Sequence, residues 1–339
     1  MSDNTKKQKG SNSAAKMPGS KQKARSKGWD TVIKNLDDKI KKQLDEFRTL
    51  RSGRHCYPLL LHNTSIRMRV VDDVFDDLRT NFNDCGGKLD VIIDSSGGDI
   101  DCAYNLALLL RKFGASDLTF FIPRWAKSAA TLLVCGGNLI MMSPIAELGP
   151  VDPQITEVNP LEQRLERFSP LHIEATLGLI RDEFKGGNEK LAKGLLERLQ
   201  FPLTLGSFKK SLDIGKEYLR RLLATRMLSG GNKEEEAKRI AATLTEGYAD
   251  HGFCINVDEA IRIGLKAEEL SGKGLDIIWE IHKLSREKER IKEEKNRKEV
   301  EEKLKNLPPG LIEKLPSIVE TPSPIPEASR NIMISSEES

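Results

Sequence analysis

The chain has 339 residues, 38% apolar and 31% charged, which allows one large domain or two small ones and a substantial core. A net charge of +3 gives little reason to expect a nucleic-acid surface, and no apolar run approaches the roughly 18 residues of a membrane span. Without an apolar leader segment, and with five scattered cysteines and no C-x-x-C pair, the composition points to a reducing, cytoplasmic setting.

Residues 1–28 hold eight Lys or Arg against one Asp, amid Ser, Gly, Asn and Gln, and read as a disordered basic arm that touches a membrane at most peripherally. In 29–55, Trp29, Val32, Ile33, Leu36, Ile40, Leu44 and Phe47 recur at helical spacing, an amphipathic helix or oligomerisation arm. Residues 57–62 read as a strand and 72–82 as a helix. Leu89–Ile93 is a continuous β-branched run, as in strands buried on both faces, and breaks into the turn DSSGGD at 94–99. The pattern turns helical from Ile100 to Phe113 and returns to a strand at Leu118–Ile122. After a turn at Pro123–Lys127, a short helix runs from Ser128 to Cys135. A third strand, Asn138–Met142, ends at SPIAELGPVDPQ.

This β-α-β-α-β alternation with short connections predicts a parallel sheet with right-handed crossovers. Two mostly helical stretches, 171–200 and 209–245, follow, and 248–265 closes the core with a short helix stopped at Gly264. Residues 271–306 form a charged helix with i,i+4 Glu–Lys pairs, and 307–339 read as a disordered Pro- and Ser-rich tail. Cys102 and Cys135 fall in apolar helical patterns and read as small core residues.

Chemistry collects beyond the C-terminal ends of parallel strands, where both turns fall. Acyl transfer needs a nucleophile and two preorganised N–H donors for the oxyanion. Gly97 and Gly98 allow the backbone to approach a substrate closely. Ser128 opens a helix, and the N–H of Ala129 beside it is a second donor. Alone, a Ser at this place is an ordinary N-cap; the order of the two turns and the ELGP loop is what favours a nucleophile.

The runs DVIIDSSGGDIDCAYNLALLLR and FIPRWAKSAATLLVCGGNLIMMSPIAELGPVDPQI resemble the Clp/crotonase-type serine peptidases, within them the serine dehydrogenase proteinase family related to signal peptide peptidase A. The resemblance covers about residues 57–270 and implies a spiral β-β-α superfold with a mostly parallel α/β sheet and flanking helices. A peptidase domain over 56–270, a homo-oligomer, a polypeptide substrate and Ser128 as nucleophile follow from it. The Clp subunits carry a His in the loop matching ELGP, and here Leu148 stands at that place. Signal peptide peptidase A uses a Lys from a later helix, for which Lys185, with Lys190 and Lys193, is the alternative base. His251 lies close to the place of the Clp triad acid and is the candidate base, oriented by Asp250, Asp152 or a lysine; a structural role bonding backbone carbonyls is equally open to it. Asp152 also reads as a loop-bonding turn residue, and Lys127 as a substrate- or solvent-facing cation.

His62 sits at a strand end, His172 in a helix, and His55 and His282 in polar surroundings; no spacing suggests a metal, and no cofactor is expected. No phosphate-binding loop G-x-x-x-x-G-K-[ST] is present, so the chain brings no ATPase module. Three functions compete: an ATP-independent serine peptidase, a non-catalytic scaffold or binding module of the same fold, and a crotonase-like acyl-CoA enzyme. The absence of a Glu beside Ser128 argues against the last.

Overall fold

The structure, a computed structural model, describes the backbone of residues 19–82, 86–152, 155–158, 165–168, 170–198, 205–228 and 230–305. Residues 30–290 form one compact unit, and 1–29 with 291–339 form a second. Of the second, the described part is the outer ends of the first and last helices, where Lys298 Nζ lies 5.1 Å above the Trp29 ring.

The chain opens with α1 (Gly19–Leu50), which starts inside the stretch expected to be irregular. Lys, Gln, Ala and Arg, which fill this stretch, are good helix formers. There follow β1 (His55–Leu61), α2 (Met68–Asn81), β2 (Lys88–Ser95), α3 (Ile100–Phe113), β3 (Asp117–Ile122), β4 (Trp125–Ala126), α4 (Ala129–Val134), β5 (Leu139–Met142) and β6 (Glu147–Leu148). Next come a hairpin of β7 (Ile155–Val158) and β8 (Leu165–Phe168), then α5 (Pro170–Lys185), α6 (Glu189–Arg198) and α7 (Leu205–Leu222), which runs into a π turn at Leu223–Met227. The last elements are α8 (Lys233–Glu246), α9 (Val257–Ile263), β9 (Ala267–Glu269) and α10 (Gly272–Lys305).

Seven strands form one sheet in the order β6-β4-β2-β3-β5-β9, with β1 also paired to β2. Every described pair within it is parallel. β2 pairs β3 as far as Ile92↔Phe121, and beyond that β4 takes over at Ser95↔Ala126. The sheet therefore curls at the C-terminal end of β2 and opens two turns toward one cavity.

Side chains of a strand alternate between faces. Leu89, Val91 and Ile93 of β2 pack into the larger core with α2, α3, α4 and α8. Ile92 faces the other way, with Phe47 of α1, Phe121, and Ile277, Ile278 and Ile281 of α10. Burying these side chains is worth about 1.5–3 kcal/mol each before conformational entropy is counted. This second layer makes the compact unit wider than the 56–270 expected from the motifs, because α1 and α10 are the lid of the sheet's second face. Asp90 also points to this face, fully buried, and is held by Arg51 Nε and Arg54 Nε, both at 2.8 Å. Cys102 and Cys135 lie in the larger core, where burial pushes the Cys135 thiol up to about 12. No described helix is long and apolar enough to cross a membrane. The tail at 307–339 lies outside the described residues.

Candidate active site

β2 ends in the turn Ser96–Gly97–Gly98. Gly97 has φ +105°, and a Cβ there would stand 2.7 Å from Lys127 O and 2.9 Å from Ser128 Cβ. Gly98 has φ +151°, with Ile66 N and O both 2.4 Å from where its Cβ would be. Only glycine fits either position. The turn is clipped across by Ile66, whose N–H donates to Gly97 O at 2.8 Å and whose carbonyl accepts from Asp99 N–H at 2.8 Å. Asp99 then caps α3 by accepting from Cys102 N–H at 2.8 Å. Gly97 N–H is already engaged, donating to Ser95 Oγ at 3.1 Å. Among the described residues Gly98 N–H has no such partner. Of the two glycines expected as oxyanion donors, Gly98 is thus the one whose N–H is available, and Gly97 supplies the space.

Ser128 reaches the same place from the neighbouring connection. Lys127 N–H donates to Ser95 O at 3.0 Å, and Ala130 N–H closes a turn onto Lys127 O at 2.9 Å. Ser128 occupies the first corner of this turn with φ 54° and ψ −123°, the geometry of a type II′ turn, where glycine is the usual residue. A non-glycine residue held there costs of order 1–3 kcal/mol. Its side chain makes no capping hydrogen bond, unlike Asp99 on α3 and Asn256 on α9. The N-cap role open from sequence is therefore not the one Ser128 plays. Ala129 N–H, at the start of α4, has no partner among the described residues.

The turn is anchored by Thr131, fully buried, whose hydroxyl is shared between Ala126 O at 2.6 Å and Gly149 O at 2.8 Å and accepts from Gly149 N–H at 3.1 Å. This ties α4 to the ELGP loop. Leu148 in that loop is fully buried and carries no imidazole, but its backbone pairs with Ile255 in both directions, at 2.9 and 3.1 Å. That pairing carries the segment with His251 to the cavity. His251 Nδ1 bonds Asp152 Oδ1, and the Asp152 carboxylate is 2% exposed. With Nδ1 so engaged, Nε2 is the ring atom left for other chemistry.

Gly97, Gly98, Ser128, Ala129, Asp152 and His251 all line one cavity of 590 Å³. No hydrogen bond joins Ser128 Oγ to His251, and in ligand-free sites such contacts are often long. Lys127, adjacent in sequence, is drawn aside: its Nζ pairs with Glu147 at 2.8 Å and reaches Phe253 O at 3.4 Å. Burial pushes the Glu147 carboxyl up, but hydrogen bonds from Lys127 and Arg124 outweigh it and hold the group below its ordinary value. Lys185, Lys190 and Lys193 lie exposed on α5 and α6, and none lines this cavity. Asp250 turns to its own loop, accepting from Gly252 N–H at 2.7 Å. His282, read as lying in polar surroundings, is instead 2% exposed. The side chain of His172 lies outside the described residues.

The fold and this cavity define an α/β protein with a curled parallel sheet and a serine at the head of a strand–turn–helix crossing. Residues 29–169 match the model of the ClpP-like SDH-type serine proteinase family, the family that the two motif runs resemble. Two uncharacterized proteins of Methanocaldococcus jannaschii are 26% and 27% identical over 195 and 178 residues, 58% and 52% of this chain. The chain spans little more than half of their length, 58% and 51%. Among solved structures, a 1510-N membrane-bound stomatin-specific protease in complex with a substrate peptide is 14% identical, covering 65% of this chain and 77% of its own, with a TM-score of 0.40. The ClpP catalytic domain of Plasmodium falciparum is 13% identical, covering 68% and 92%, with a TM-score of 0.36.

Proposed function

We propose that the chain is a serine endopeptidase in which Ser128, His251 and Asp152 act as nucleophile, base and orienting acid. The observation that carries this is Ser128 itself: a side chain without a capping role, held in a glycine-type turn and facing a cavity that His251 also lines. Proteins keep strained conformations where function requires them.

Ser128 Oγ attacks the scissile carbonyl carbon while its proton passes to His251 Nε2. The developing oxyanion is received by Gly98 N–H and Ala129 N–H, each worth about 3 kcal/mol of transition-state stabilisation. As the C–N bond breaks, His251 returns the proton to the leaving amine; a water then enters, loses its proton to His251 and releases the acid from Ser128. Asp152 holds the ring in the tautomer with Nδ1–H and stabilises the imidazolium. Small side chains at Ala129 and Ala130 leave room for the acyl group. Lys127 is read as a cation that shapes the rim through Glu147 and takes no proton. The peptidase domain of this reading spans 56–270, works on unfolded polypeptide as a homo-oligomer in a reducing, cytoplasmic setting, and needs no ATP.

Hydrolysis of casein by wild type, Ser128→Ala, His251→Ala and Lys185→Ala, each with and without ATP, tests the reading. Loss in the first two variants, retention in the third and indifference to ATP are expected. Activity that survives His251→Ala and disappears in Lys185→Ala would move the base to α5. Acyl-CoA turnover without proteolysis would replace the peptidase reading by the crotonase one.

A further inference from the structure

The second face of the sheet carries two buried carboxylates four residues apart on β2, and their surroundings differ. Asp90 is neutralised by two guanidinium groups. Among the described residues Asp94, 1% exposed, has two imidazoles within ion-pair distance and no guanidinium or ammonium: His282 Nδ1 of α10 at 2.5 Å and His62 Nδ1, just after β1, at 3.7 Å. Removing a lone carboxylate from water is costly unless a cation accompanies it. Asp94 Oδ2 and His282 Nδ1 are nevertheless both without a hydrogen-bond partner, because their short approach lacks hydrogen-bond direction.

His62 adds to this. Its Nε2 lies 3.0 Å from Ser285 Oγ, one turn along α10 from His282. When Nε2–H donates to that hydroxyl, Nδ1 turns its lone pair toward the Asp94 carboxylate, an arrangement that repels unless a cation stands near both. A metal-ligating histidine characteristically has its second nitrogen fixed in this manner. One donor atom from each of His62, Asp94 and His282 lies within 4.8 Å of the others. Tetrahedral donors at about 2.0–2.1 Å from an ion stand roughly 3.3 Å apart, so small side-chain shifts convert the cluster to ligand spacing.

We propose that His62, Asp94 and His282 bind one divalent transition ion of the zinc class, with a fourth position left for water. Two imidazoles and one carboxylate suit zinc, whereas calcium and magnesium prefer all-oxygen shells. The ion joins the end of β1, the end of β2 and α10, and so fastens the helix that covers the second face. Asp94 is followed by Ser95, whose hydroxyl holds Gly97 N–H, so the ion also stiffens the strand end from which the glycine turn departs. The ligands are 220 residues apart at the extremes, from His62 to His282, which is why no spacing in the sequence announces them.

The test uses the full chain, stripped with a chelator and titrated with Zn²⁺ and with Co²⁺ as a spectroscopic stand-in. Wild type is expected to take up one equivalent, to show a visible band of four-coordinate cobalt, and to melt at a higher temperature with zinc than without. Uptake and band should be lost in His62→Ala and His282→Ala and kept in His251→Ala, which separates this site from the catalytic cavity. Should the first two variants fail to fold, X-ray absorption at the zinc edge of loaded wild type decides, with two imidazoles and no sulfur expected. Uptake below one equivalent, a sulfur-containing shell that points to Cys254, or binding that vanishes in His251→Ala overturns the proposal.

Discussion

Replacing Ser128 by glycine should remove the proposed nucleophile and make the fold more stable. Ser128 sits at φ 54°, ψ −123°, in a turn corner that glycine occupies freely, and it makes no capping bond that the change would forfeit. Relief of the backbone contributes about 1–3 kcal/mol. Against it stands the greater freedom of glycine in the unfolded chain, about 0.5–1 kcal/mol. The balance favours the variant by roughly 1 kcal/mol, or about 2–4 °C in the melting temperature of a domain of this size. Thermal unfolding of wild type, Ser128→Gly and Ser128→Ala at one protein concentration measures it. Ser128→Ala keeps the Cβ and should gain nothing comparable. An ordinary N-cap predicts the opposite order, with glycine a few tenths of a kcal/mol below serine. A Ser128→Gly protein that melts at or below wild type would refute the claim that this residue is held under strain.

Asp152→Asn should leave the structure intact and lower kcat by about 10⁴, with KM little changed, because His251 loses the partner that fixes its tautomer; steady-state peptide hydrolysis checks this. Thr131→Val leaves Gly149 N–H buried without its acceptor and should cost about 1–3 kcal/mol, read as a lower urea midpoint. Glu147 is held below its ordinary value in the folded protein, so its ionised form adds stability that is complete above the usual carboxylate range and fades as pH falls through the folded value. The stability gap between wild type and Glu147→Gln should therefore narrow on acidification, and a gap independent of pH would contradict the assignment.

What the sequence disclosed follows from how local each signal is. β2 was legible because LDVII is a short run of apolar residues ended by the DSSGGD turn, whereas a spiral sheet was implied only by the family resemblance. β4 and β6, two residues each, are too short for any periodicity, although they bring Ser128 and Leu148 to the sheet. The division of labour between Gly97 and Gly98 depends on one hydroxyl, Ser95 Oγ, which no pattern could single out. Taken alone, Ser128 reads as a cap because serine usually caps helices; its dihedral angles and its missing capping bond say otherwise. The burial of His282 was hidden for a different reason. It arises from docking α10 on a sheet face whose residues lie nearly two hundred positions earlier, and a charged helix gives no local sign of that.

The central claim is that Ser128 is the reacting atom's owner, and labelling with a fluorophosphonate followed by peptide mapping tests it most directly. The account predicts a single adduct on Ser128 in wild type and none in Ser128→Ala. No adduct on wild type, or one that persists in Ser128→Ala, would contradict it.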